Sequence, residues 1–139
     1  MAKTFTAPFA QTPKTGTAVV TAALAGLSTD APTGAQLLVT AGAEGAILTR
    51  LAAIPRGTVT ASSLCVFLVK ASAPAVYRLV ASEVLGAYTA STTAAIPTTT
   101  FAFVTEESPL RLEAGDKLYV GSQVAQGAGL VALATWMDF

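Results

Sequence analysis

LRLEAGDKLYVGSQVA, residues 110–125, joins a short apolar run, a polar corner and a strongly β-prone segment. Gly115 tolerates positive φ and Asp116 hydrogen-bonds readily to backbone that follows it, so Glu113, Gly115 and Asp116 spell a turn. Leu118, Tyr119 and Val120 favour a pleated surface. The stretch reads as a corner that delivers one strand into a sheet.

Downstream, 118–124 and 130–139 are two strand candidates joined by AQGAG, a glycine-rich loop suited to a hairpin. The last strand sorts Leu130, Ala132, Ala134 and Trp136 to one side and Val131, Leu133, Thr135, Met137 and Phe139 to the other, with both sides largely apolar. A chain end that stays apolar to its last residue calls for cover by a second sheet or a neighbouring copy.

Upstream the same punctuation recurs. Candidate strands are 17–24, 35–40, 46–54, 62–70, 76–80 and 101–104. AGAEG after the second is short enough for a hairpin. In the third, Ile47, Thr49, Leu51 and Ala53 fall on one face and Leu48, Arg50 and Ala52 on the other. SSLCVFLVK (62–70) is almost continuously apolar, as in a strand covered on both faces, and it pairs with 76–80 as a hairpin. The hydroxyl-rich 81–100 reads as a long surface loop or edge. Glycine, proline and β-branched residues interrupt every window long enough for three helical turns, and no stretch sustains an i, i+3, i+4, i+7 stripe.

These spacings predict an all-β, two-sheet sandwich of about eight strands, jelly-roll-like, over residues 15–139. Residues 1–14, with Pro8 and Pro13, read as an extended arm whose Phe5 and Phe9 either tuck back or anchor on a partner. A length of 139 residues suits one domain.

Composition removes several function classes. Eight basic and eight acidic residues cancel, and charged residues are 12% of a chain that is 53% hydrophobic. Such a surface favours association, so part of it is expected to lie against other subunits. There is no basic cluster for phosphate neutralisation, which argues against nucleic acid. The apolar runs 18–27, 64–69 and 127–137 are too short for a spanning helix, which argues against a membrane, and the N-terminus lacks the apolar core of a signal peptide. Cys65, the only cysteine, sits among apolar neighbours as an inert thiol.

The chain has no histidine, so the usual base of Ser and Cys triads and the commonest metal ligand are missing. Glu106 with Glu107, and Glu113 with Asp116, are the closest to carboxylate pairs. Adjacent strand residues point apart, and the four lack calcium-loop spacing, so turns explain them better than an acid/base pair or a metal site. GAEG and AQGAG lack the Lys and Ser/Thr of a phosphate cradle. Tyr77, Tyr119 and Trp136 lie in strands, where packing accounts for them, and Tyr88 stands alone in a loop. No enzyme, cofactor or metal is expected.

YRLVASEVL (77–85), then FVTEESPLRLEAGDKLYVGSQVA (103–125) and a short apolar terminal strand, together resemble small auxiliary capsid proteins of tailed bacteriophages, the decoration or cement type. ESPLRLEAGDKLYVG is the most specific part. The resemblance implies a virion structural protein on the capsid exterior, made in the host cytoplasm, whose partners are the major capsid protein and itself, commonly as a homotrimer. Phe5, Phe9, Trp136, Met137 and Phe139 are the candidate interface residues. The alternative is a receptor-binding or fibre-associated module that contacts a host glycan through the loop from Tyr88 to Thr100.

Overall fold

The computed structural model describes residues 12–139, which form nine antiparallel strands and, among the described residues, no helix. The strands are β1 (Thr12–Val20), β2 (Gln36–Thr40), β3 (Ala46–Pro55), β4 (Ser62–Val69), β5 (Arg78–Leu85), β6 (Thr99–Thr100), β7 (Leu110–Leu112), β8 (Lys117–Ser122) and β9 (Leu130–Asp138). One sheet runs β1-β9-β3-β6, with β7 also on β3; the other runs β2-β8-β4-β5. β6 pairs with Ala52 and Ala53 while β7 pairs with residues 46–48, so the two are one strand position interrupted by a loop. Counted so, the pairing is nested, first with last, second with second-last, down to the central β4–β5 hairpin. That is a jelly-roll order, in two packed sheets.

Alternation drives the packing. Val20, Leu48, Leu51, Leu64, Val66, Leu118, Val120, Leu130 and Ala134 meet in a shared core between the sheets. Gly16 is on this side because the Trp136 ring lies over it: a Cβ there would stand 2.9 Å from the ring. The corner behaves as its sequence predicts, with Gly115 at φ +75° and the Asp116 N–H donating to the Glu113 carbonyl at 3.1 Å. It carries the chain from one sheet to the other.

Several expectations are corrected. β1 begins at Thr12 instead of residue 17, because the end of β9 pairs it as far as Asp138; Pro13, which has no N–H, is tolerated because β1 is an edge. AGAEG and AQGAG are sheet-changing connections, not hairpins, because β2 and β3 lie in different sheets, as do β8 and β9. In β3 a bulge at Thr49 shifts the register between Leu48 and Arg50, so Leu48, Leu51 and Ala53 face inward and Ile47, Arg50 and Ile54 outward. Residues 81–85 form an edge, as part of β5, and not a loop, while Val76 and Tyr77, expected in the strand, precede it because β4 pairs β5 only as far as Arg78. Residues 101–104 form a turn instead of a strand, from which Phe101 and Val104 plug the core. The segment 62–70 does have both faces covered: Cys65, Phe67 and Val69 point away from the core and are still buried.

Candidate docking surface

The outward side of the β1-β9-β3 sheet carries a run of half-buried apolar side chains that no other described strand covers. β9 contributes Val131, Leu133, Thr135 and Met137, continued by Phe139, every second residue of an alternating strand. β3 adds Ile47, Arg50 and Ile54, opposite Met137, Thr135 and Val131. β1 adds Thr15, Thr17 and Val19, the last 41% exposed. Arg111 on β7 stands opposite Ile47 and places its guanidinium 5.7 Å from the centre of the Phe139 ring, within cation–π range. At one end, Glu106 rises beside Pro13, Thr15, Thr49, Thr135 and Met137 to form a groove of about 460 Å3.

This surface divides the residues singled out from sequence. Met137 and Phe139 lie on it, half-buried. Trp136 points the other way into the core, 8% exposed, and its indole N–H has no hydrogen-bond partner. Phe5 and Phe9 lie outside the described residues, as does the arm they belong to except for residues 12–14. Sequence missed Arg50, Arg56 and Arg111 as a group. They are far apart in the chain, and only sheet pairing gathers them; in β3 the bulge also moves Arg50 to a face that simple alternation does not assign.

The carboxylates fall into structural roles. Asp116 is 2% exposed; its Oδ2 accepts from Lys70 Nζ at 2.8 Å and from the Glu113 N–H at 3.0 Å, and its Oδ1 accepts from the Ala71 N–H at 3.3 Å. Burial pushes its carboxyl up, but the Lys70 ammonium and the two N–H donors outweigh burial and hold it below the usual range. The Glu113 carboxylate, largely exposed, takes the same Lys70 ammonium at 3.0 Å, and the two acids raise that amine above its ordinary value. Both corner carboxylates are thus spent on one lysine. Asp138 is similar: burial raises its carboxyl, and Lys14 Nζ at 2.7 Å with the Gly42 N–H at 3.1 Å brings it below the usual range. Glu106 and Glu107 lie exposed in a turn closed by Thr105 and Ser108. No group of three or more His, Cys, Asp or Glu is placed to hold a metal among the described residues.

On the other sheet, Tyr77 and Tyr119 pack at 4.8 Å between ring centres, and Tyr77 meets Phe67 edge-on at 6.4 Å. They cover the outward side of β4, and burial pushes the Cys65 thiol up, away from reactivity. Tyr88 exchanges backbone hydrogen bonds with Val59 at 2.9 and 3.0 Å and rests half-buried against the core, so its ring anchors the loop. Gln126, unremarked in sequence, is 2% exposed: its amide accepts from the Thr60 N–H at 3.1 Å and donates to the Thr60 carbonyl at 3.0 Å, tying two loops together as a peptide group would. No family model, curated protein or solved structure matches the chain.

Proposed function

We propose that this chain is a virion structural protein, a decoration protein that binds the outside of a bacteriophage head and stabilises the shell through buried subunit area. The observation that carries this reading is the outward face of the β1-β9-β3 sheet, where Ile47, Ile54, Val131, Leu133, Met137 and Phe139 form one apolar surface on a chain of zero net charge. Such a surface marks an interaction site in a soluble fold. The bacteriophage assignment itself rests on the sequence pattern around the 110–125 corner. The jelly-roll fold is compatible and carries no functional weight alone, because it hosts unrelated activities.

Nothing about the loop after Tyr88 favours the glycan-binding alternative, since the ring is turned into its own domain. The two readings differ in copy number. Quantitative mass spectrometry of purified particles should find hundreds of copies for a shell protein and a few for a fibre-associated module. A monomer by sedimentation at micromolar concentration, absent from particles, sinks the decoration role.

A further inference from the structure

Cations and carboxylates pair unevenly over this molecule. Lys14 holds Asp138, Lys70 holds Asp116 and Glu113, and Arg78 holds Asp30. Among the described residues, Arg50, Arg56, Arg111 and Lys117 form no ion pair, and the three arginines belong to one place. Arg50 and Arg111 stand on the outward face of the β1-β9-β3 sheet. Arg56 follows β3 and lies with Val19 at Gly129, at the end of that face away from Phe139. All three are exposed, with the aliphatic residues of β3 and β9 between them. Among the described residues, Glu106 in the groove beside the face forms no ion pair with any of them.

Resting on the reading of this face as a docking surface, we propose that its occupant is a partner protein whose contact surface is apolar and carries carboxylates for Arg50, Arg56 and Arg111. A guanidinium presents a planar fork that fits a carboxylate with two hydrogen bonds, and it sheds water more readily than an ammonium. Arginine, methionine and phenylalanine are enriched in protein interfaces, whereas lysine is depleted. A second copy docked face to face brings the same three arginines and, among the described residues of the face, only Glu106 to meet them, so like charges outnumber counter-ions. Residues 1–11, MAKTFTAPFAQ, include a lysine and no acid, so the chain's own N-terminus brings no counter-ion. Three arginines spaced among aliphatic side chains neutralise too few phosphates for a nucleic acid track.

The test uses the full chain, labelled with 15N, titrated with a nine-residue peptide alternating Glu and Leu and with its Lys–Leu counterpart. In parallel, empty heads of the phage encoding the chain are titrated with the unlabelled protein. The Glu–Leu peptide, and not the Lys–Leu one, should shift the amides of Ile47, Arg50, Leu133 and Met137. Binding should weaken at least tenfold in Arg50→Ala/Arg111→Ala, weaken with salt, and be unchanged in Lys117→Ala; the amide spectrum of each variant reports that its fold is intact. Head binding should show the same arginine dependence. Arginine-dependent peptide binding without head binding supports the partner chemistry and overturns the virion reading alone. Arginine-dependent head binding supports the inference even if the peptide is too short to bind. The inference is overturned by equal binding of both peptides, or by absent or arginine-insensitive binding to both peptide and heads. It is also overturned if the double variant breaks up an oligomer in sedimentation, which makes a second copy the occupant. Tighter arginine-dependent binding to phosphatidylserine vesicles or duplex DNA than to the peptide overturns it as well.

Discussion

Asp116 shows how a residue that suggests chemistry in a sequence becomes architecture in a fold. A buried carboxylate is costly unless compensated, and here one ammonium and two backbone N–H groups compensate it. Because Asp116 and Asp138 are both held below the usual carboxylate range, each contributes stability above its unfolded value and loses it as pH falls through the folded one. The urea midpoint should therefore drop as pH is lowered past the ordinary carboxylate range, and Asp116→Asn should flatten that drop while lowering stability at pH 7. An unchanged acid slope in the variant would show that Asp116 does not drive it. The raised Lys70 amine adds a loss at the alkaline end, above its ordinary value. Next to it, Gly115 sits at φ +75°, where a β-branched side chain is strained, so Gly115→Val should cost about 1–3 kcal/mol. Glu113→Gln, at an exposed partner of the same lysine, should stay within about 0.5 kcal/mol by urea titration. The reverse order would restore a functional role to Glu113.

At the scale of elements, what was legible in sequence was what local chemistry decides. The 110–125 corner is written in its own turn residues, and the two sides of β9 follow from alternation, so Met137 and Phe139 fall where they were expected. What was illegible depends on distant pairing. AGAEG and AQGAG look like hairpin loops because a five-residue glycine-rich connection serves equally well to cross between sheets, and only the partners of the flanking strands distinguish the two. β3 was misread because one extra residue, Thr49, breaks a period of two and turns the two halves of the strand in opposite senses. The arginine set was invisible for the same reason, since three isolated residues acquire a common face only through pairing. A prediction follows from the bulge. Deleting Thr49 makes Leu48 and Arg50 consecutive partners of Trp136 and Thr135, so regular alternation keeps Leu48, Leu51 and Ala53 inward and Ile47 and Ile54 outward, and the cost should stay near that of the lost Thr49 hydrogen bond, about 1 kcal/mol. Thr49→Val keeps the bulge and loses only a 3.2 Å hydrogen bond to the Thr135 carbonyl, which is worth about 1 kcal/mol. A deletion that costs several times as much as Thr49→Val by urea midpoint would mean that Thr49 is not the extra residue and that its loss turns Leu48 outward.

For the whole molecule, the absence of net charge makes its sheet edges decisive, because there is no mutual repulsion to keep copies apart. Three of the four edges carry recognisable protection. β1 includes Pro13 and Lys14, β2 has five residues and a register shift between Leu37 and Val39, and the far side of β3 is filled by the short pieces β6 and β7. β5 is less protected: it has eight residues and no proline or lysine, Leu79, Val80 and Val84 are 52%, 42% and 75% exposed, and its interruptions are a register shift near Val80, Arg78 at one end paired with Asp30, and Glu83 turned to the Ala102 N–H. A long apolar edge with free backbone donors and acceptors is a template for another strand. Val84 contributes little to the fold at that exposure, so Val84→Lys should leave stability within about 0.5 kcal/mol while slowing concentration-dependent association, followed by light scattering. Ser28→Lys, at an exposed loop position, adds the same charge away from the edge and separates a local effect from a gain in net charge. If both variants slow association equally, charge rather than the β5 edge governs it; if only Val84→Lys does, β5 is where copies of this chain meet, leaving the arginine-bearing face on the other sheet open to a different partner.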